Sequence, residues 1–510
     1  MRFFNIICCF IVVFFAANIS FSQNNSKVYA DGELLVKFKK SVSAESSLRA
    51  NEEIGAAVVE NFSGLGWQRL KLPENLPVEK ARKIYENLAE VEAVQPNYYY
   101  HLLATPNDPQ YSSMYGLTKI SAPAAWDLTT GSAETVVAVI DTGVKYNHED
   151  LAANMWTNPG EINGNNVDDD GNGFVDDFYG YDFFFNDANP IDENGHGTHV
   201  AGTIGAVGNN GIGVTGINWR VRLMTIKIYD ADGYGSTSSM LINAYNYVRM
   251  MKNRGVNIRV TNNSYGGCDE ACGYDQATKD AIDALGNAGV LQVFAAGNEN
   301  RNVEVTPFYP ASYTTPSILT VAASTADDSR SGFSNYGSAS IDIAAPGSGI
   351  TSTHNGASGY ATFSGTSMAS PHVAGAASLL ASLNPNLSAE SLKATLLNSA
   401  DILPQWNGIV KTGGRLNALR ALQNQTVCSY ALASSAVRVP TKGGYFSVDL
   451  SAAPNCDFSV KSNASWIKIA SSDAMSGGTV NFRVSVNPTV ARTGTITIAG
   501  RTFTVRQSRF

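Results

Sequence analysis

The chain has 510 residues, of which 44% are apolar and 16% charged, with a net charge of −8 and a pI near 5.4. That length is too great for one small domain and fits two to four. The acidic balance and the lack of any basic patch exclude a nucleic-acid binder, while the apolar fraction provides for a large core.

The N-terminus sets the compartment. Arg2 precedes the apolar run FFNIICCFIVVFFAA, which ends at the small-residue exit Ser20-Phe21-Ser22. This is the layout of a secretory signal, and the run is short for a membrane span. Residues 1–22 are therefore expected to be a signal peptide and the product to be secreted, either extracellular or at the cell surface. Cys8 and Cys9 leave with the signal, so Cys268, Cys272, Cys428 and Cys456 remain. An even number in an exported chain suggests disulfides. Cys268–Cys272 would close a small loop, and Cys428–Cys456 would lie within the C-terminal region.

Residues 23–104 run from GELLVKFKK through charged helical stretches to VEAVQPNYYY, a β-α-β pattern. From 105 to 425, strand-like runs (VVAVI, VRLMTIKIY, IRVTNNSY, VLQVFAA, ILTVAAS, IDIAAPG) alternate with helical ones such as SSMLINAYNYVRMMKN and QATKDAIDALGNAG. That alternation predicts an α/β fold, a three-layer sandwich with a central parallel sheet. Residues 426–510 lose the helical pattern. Short alternating runs such as GYFSVDLS and TVNFRVSVN predict an all-β sandwich.

Three segments of the middle region carry chemistry. In VVAVIDTGV, Asp141 follows a buried strand and so sits at its carboxyl end. In NGHGTHVAG, His196 lies at the start of a small-residue helix. In FSGTSMASPHVAG, Ser367 is at the mouth of another helix, where N–H groups favour negative charge, and Pro371 is expected near the first turn. An acid, a base and a nucleophile are the parts of a Ser-His-Asp triad. A fourth segment, VLQVFAAGNEN, places Asn298 after another buried strand.

The gap between Asp141 and His196 contains Asp168, Asp170, Asn172, Gly173 and Asp176 in a D-x-D-x-N-G-x-x-D spacing. Oxygen donors at alternate positions around a glycine turn suit calcium. Tyr179 stands where an EF-hand needs Glu, so this is only half such a loop, with Asp176 or Asp177 completing it. Asp182, Asp187 and Asn189 form a weaker acidic cluster just before His196.

The order Asp141, His196, Ser367, with these flanking residues, resembles the subtilisin-like serine peptidases. The resemblance implies a secreted serine endopeptidase acting on protein or peptide substrates. Asn298 and the Ser367 N–H would hold the oxyanion. Residues 23–104 resemble the family's inhibitor-type propeptide, which acts as the enzyme's own chaperone and inhibitor and is released near His101–Ala104. The loop Val207–Gly216 is similar to the family's main calcium loop. There Asn210 would bind with the carbonyls of Val207, Ile212 and Val214, joined by Asp108 and Asp150. Asp232–Ser239, with Gly233, Tyr234 and Gly235, resembles the edge strand that pairs with substrate, and Ser264, Tyr265 and Gly266 the opposite edge and S1 wall. Phe308 falls where the S1 base is expected. Residues 426–510 resemble BACON-type immunoglobulin-like domains, which implies a spacer or a glycan- or surface-binding module.

Overall fold

A computed structural model describes residues 29–99, 105–267, 274–472, 477–487 and 489–508. They fall into two compact units that divide near Leu102. The signal, the release segment at His101–Ala104 and the Cys268–Cys272 pair lie outside the described residues.

The first unit is α+β. Its strands are β1 (Tyr29–Phe38), β2 (Ala57–Phe62), β3 (Trp67–Lys71) and β4 (Val91–Tyr98), in the order β2-β3-β1-β4. Two helices, α1 (Ala44–Ile54) and α2 (Val78–Glu86), join them. Leu34, Val36, Leu70, Ala81 and Tyr85 form the core.

The second unit begins with short helices α3 (Tyr115–Lys119) and α4 (Ala122–Trp126). Its strands β5 (Gly131–Asp141), β6 (Gly180–Asp182) and β7 (Arg220–Lys227) surround α5 (His196–Gly205) in sequence. Next come α6 (Ser238–Asn253), β8 (Ile258–Asn263), α7 (Gln276–Asn287), β9 (Leu291–Ala295), β10 (Ile318–Ser324) and β11 (Ile343–Pro346). A hairpin, β12 (Ile350–Thr353) with β13 (Tyr360–Phe363), leads into α8 (Thr366–Leu383) and α9 (Ala389–Asn398). Strands β14 (Asp401–Ile402) and β15 (Gly414–Arg415) and helix α10 (Ala418–Gln423) complete this part.

The sheet order is β14-β15-β11-β10-β9-β8-β5-β7-β6, parallel except for the β14–β15 edge. Helices cover both faces, as a continuous apolar strand requires. On β5, Val137 and Val139 pack towards α5 and α8, while Val136, Ala138 and Ile140 pack towards α6 and α7. The expected three-layer α/β architecture is thus present.

The C-terminal strands form two sheets. One has the order β16 (Tyr430–Leu432), β18 (Gly444–Ala452), β21 (Gly478–Val484), β20 (Ile467–Ser472). The other runs β17 (Ala436–Val439), β23 (Arg501–Gln507), β22 (Arg492–Ile498), β19 (Val460–Ser462). Their inward residues, among them Val448, Phe482, Ile496 and Phe503, make a separate core. Cys428 and Cys456 are disulfide-bonded. This sandwich docks on α9, where the buried Lys393 ammonium lies 2.9 Å from the Asp457 carboxylate.

Candidate active site

The parallel register brings the site together. Ile140 on β5 lies beside Asn263 on β8, so Asp141 and Ser264 leave the sheet side by side at its carboxyl edge. Helix α5 starts directly above. Gly197 makes this approach possible, because a Cβ there would lie 2.1 Å from the Gly143 carbonyl and 3.1 Å from Asp141 Cβ. His196 Nδ1 consequently meets Asp141 Oδ1 at 2.7 Å. The same oxygen accepts the Thr142 N–H at 2.8 Å. Burial draws the His196 imidazolium pKa down, but attraction and the hydrogen bond from Asp141, with a further contribution from Asp192, leave it raised overall.

Asp192 organises this corner, and the sequence reading missed it. Its Oδ1 accepts from Thr142 Oγ1 and from the N–H groups of Asn194 and Gly195. Its Oδ2 accepts the N–H and hydroxyl of Thr198. It therefore ties the end of β5 to the first turn of α5. Its place in the turn-rich segment just before the helix was the available signal.

Ser367 is the second residue of α8, behind Gly365 as N-cap. Its Oγ donates to the Ser264 carbonyl at 3.1 Å. Asn298 Oδ1 accepts the Thr366 N–H at 2.8 Å and the Thr366 hydroxyl at 3.0 Å. A peptide N–H can only donate, so the atom it meets must be the amide oxygen. The Asn298 NH2 is thereby turned away from Thr366, in an exposed residue. Pro371 stands in the second turn of α8 instead of near the first, because the helix already begins at Thr366.

One substrate-edge expectation changes. Gly233, Tyr234 and Gly235 form a turn instead of a strand: Asp230 accepts the N–H groups of Gly233 and Tyr234, and Tyr234 is exposed. On the other edge, Ser264 is buried, and the Tyr265 hydroxyl bonds Asn263 and Tyr245. Beyond them the Phe308 ring fills the space beside glycines. A Cβ at Gly266, Gly267 or Gly297 would lie 2.6, 2.3 or 2.9 Å from that ring.

The acidic loop closes differently from its spacing. Asp176 accepts the N–H groups of Gly164, Asn165 and Asn166. Asn172 bonds Asp177 and the Phe174 N–H. Asp168 is held in the same way, accepting the Asn172 and Gly173 N–H groups. Glu161 joins the loop from upstream, with oxygens of Glu161, Asp168 and Asp170 within 4.8 Å of one another. Glu161 is 6% exposed and its Oε2 has no hydrogen-bond partner among the described residues. Burial, with nearby carboxylates adding, raises the pKa of its carboxyl. The exposed Arg254 lies 3.1 Å from Asp170, while Glu161 Oε2, facing the two carboxylates, meets no donor among the described residues and suits a hard cation.

The other expected calcium residues do converge. Asp108 accepts the N–H groups of Asn209 and Asn210, and the Asn210 amide donates to Asp150 at 2.8 Å. Asp150 is fully buried, and burial, with the Asp108 charge adding, pushes its pKa up to about 6. Two carboxylates met, among the described residues, by amides, N–H groups and the Tyr360 hydroxyl also suit calcium. In the third cluster Asp182 and Asp187 pair through their backbones, but their carboxylates have other partners. Asp182 is paired at 3.3 Å with Lys227, each side chain 1% exposed. Asp187 accepts the Asn189 N–H and Asn189 accepts the Tyr146 hydroxyl. An ammonium of the protein itself stands where a cation was expected.

Comparison with known proteins gives three family matches. Residues 132–437 match the subtilase family, 15–97 the fervidolysin N-terminal prodomain, and 457–508 the BACON putative binding domain. A thermophilic serine proteinase of Bacillus sp. (strain AK1) is 37% identical over 363 residues, covering 70% of this chain and 80% of that protein. Thermitase of Thermoactinomyces vulgaris is 39% identical over 320 residues, 62% of this chain and 99% of its own. The extracellular basic protease of Dichelobacter nodosus is 33% identical over 409 residues, 71% of this chain and 64% of its own.

Proposed function

The chain belongs to the subtilase family of serine peptidases and carries a prodomain, and from that premise we propose a secreted, calcium-stabilised endopeptidase that matures by its own cleavage. Ser367 attacks the scissile carbonyl. His196 takes the Ser367 proton and later gives it to the leaving amine. Asp141 holds the imidazole by Nδ1 and stabilises the imidazolium. The Asn298 amide and the Ser367 N–H receive the oxyanion, a role whose loss costs about 100- to 1000-fold in turnover. The carrying observation is the 2.7 Å His196–Asp141 bond, with Ser367 at the head of α8 beside the outward-turned Asn298 amide.

Calcium is assigned to Asp108, Asp150 and Asn210, and to Glu161, Asp168 and Asp170. Bound there, it would neutralise buried carboxylates and fix the loops that carry them. The Phe308 ring against Gly266 and Gly297 favours a small P1 side chain. Secretion is supported by the N-terminal pattern and by the extracellular relative. Among the described residues no helix is long and apolar enough to cross a membrane. The prodomain serves as chaperone and inhibitor, and the BACON domain as a spacer or glycan- or surface-binding module.

The test is Ser367→Ala. It should abolish peptide hydrolysis, prodomain removal and labelling by a serine-reactive fluorophosphonate. A processed, active Ser367→Ala protein overturns the assignment.

A further inference from the structure

Helix α8 contains a gap at the residue on which the chemistry depends. In an α-helix the Ser367 carbonyl would accept the N–H of residue 371. That residue is Pro371, which has no N–H. The carbonyl is nevertheless satisfied, because the Ser264 hydroxyl, arriving from the end of β8, donates to it at 3.0 Å. The wiring of this hydroxyl is complete. It receives the Asn262 amide at 2.8 Å and lies 2.8 Å from Ser370 Oγ. A hydroxyl has one proton and two acceptor sites. The proton goes to the Ser367 carbonyl, which can only accept, so Ser370 and Asn262 fill the two acceptor sites. Ser367 Oγ in turn donates to the Ser264 carbonyl at 3.1 Å, so the two serines clasp each other reciprocally.

We propose that Ser264 is a positioning residue whose side-chain hydroxyl replaces the helix hydrogen bond that Pro371 cannot make, thereby fixing the backbone of Ser367 so that its Oγ and N–H are aimed. This goes beyond the substrate-edge role of the Ser264 backbone, and it rests on the reading of Ser367 as nucleophile. Without the hydroxyl the half-buried Ser367 carbonyl loses both its helix partner and its substitute, a state that native structures rarely tolerate. The first turn would tilt to find water or another donor. A nucleophile displaced by about 1 Å can lose about a hundredfold in rate.

The experiment is a cycle of Ser264→Ala and Pro371→Ala, with kcat divided by the number of fluorophosphonate-reactive sites. Ser264→Ala should lower kcat by at least about tenfold with KM nearly unchanged. Ser264→Thr, which keeps the hydroxyl, should retain kcat. The decisive variant is Ser264→Ala with Pro371→Ala, in which residue 371 regains its N–H. Its kcat should return to that of Pro371→Ala alone. A purely stabilising role would lower the melting temperature without changing kcat per reactive site, and would overturn the proposal. So would a KM increase that Pro371→Ala does not rescue, since that marks a substrate contact. If Ser264→Ala does not fold, the Pro371→Ala background decides, because there Ser264→Ala must fold and keep kcat. Activity that survives Ser367→Ala would instead sink the reading of Ser367 as nucleophile on which this proposal rests.

Discussion

Asp182 and Asp150 are both completely buried carboxylates in the half of the molecule that carries α5, yet their charges are met in different ways. Asp182, at the end of β6, faces the Lys227 ammonium from the end of the neighbouring β7. Lys227 also reaches Glu193 at 3.1 Å and lies over the Phe185 ring. Asp150 faces Asp108, amides and N–H groups; burial, with the Asp108 charge adding, pushes its pKa up, and burial raises that of Asp182 as well, with Lys227 opposing it. The first region holds its loop to the sheet with a charge built into the chain. The second has no such charge facing it among the described residues, and there the proposed calcium would supply one. Counting carboxylates cannot tell the two apart; the position of one lysine does.

The largest effect expected from this contrast is at Lys227. Lys227→Met leaves Asp182 buried without its partner, which typically costs about 3–5 kcal/mol. Thermal or denaturant unfolding should show that loss in full at saturating calcium. A calcium-dependent recovery would mean that the Asp182 region is a cation site after all.

Lys393 repeats the built-in solution where the two folds of the second unit meet. It is 4% exposed, and beyond Asp457 it has Asp342 at 3.8 Å. Burial lowers its pKa, but these two carboxylates return it to a net rise. Lys393→Met and Asp457→Leu should each destabilise the peptidase domain and the sandwich together, by about 3 kcal/mol each. Combined, they should cost much less than the sum, since an apolar pair can replace a buried ion pair. Additive losses would show that the two folds unfold independently and that the junction carries no coupling.

A chelator should act on the other kind of site. A ligand at one hundred times its dissociation constant contributes about 2.7 kcal/mol, which its removal withdraws. Asp150→Asn should lower the melting temperature in calcium and blunt the remaining response to chelator. Glu161→Gln should do the same for the acidic loop. An unchanged chelator response in both variants would move the calcium elsewhere.

These contrasts also show what the sequence could carry. The buried strands were legible because β-branched runs have few alternatives, and the helices because their small or amphipathic stretches are long. Strand β6 and the β12–β13 hairpin are too short to give a periodic signal. The Asp141–His196 pairing followed from local motifs at adjacent element ends. Glu161 escaped because a loop pattern counted forward from Asp168 cannot see an acceptor that folds back from upstream. Lys227 read as one more residue of a strand, and its partners are set by sheet order. The Lys393–Asp457 pair joins two folds, and the Ser264–Pro371 relation joins a strand end to a helix interior. Neither has a spacing to detect.

His196 completes the contrast, because its partner Asp141 receives a cation that can be switched off. The Asp141 carboxylate raises the imidazolium pKa above its usual 6.5. A base must be neutral to take the Ser367 proton, so the acid limb of kcat/KM should lie above pH 6.5. The stability linkage has the opposite sense. A group whose folded pKa is raised stabilises the fold fully below its unfolded pKa and loses that contribution as pH rises through the folded one. The bond that secures α5 to β5 is therefore strongest at a pH where the base is protonated and idle. Asp141→Asn should move the imidazole titration, followed by NMR, to lower pH, since burial then acts with less opposition. A titration that stays in place would mean that Asp192, and not Asp141, sets the charge of this histidine.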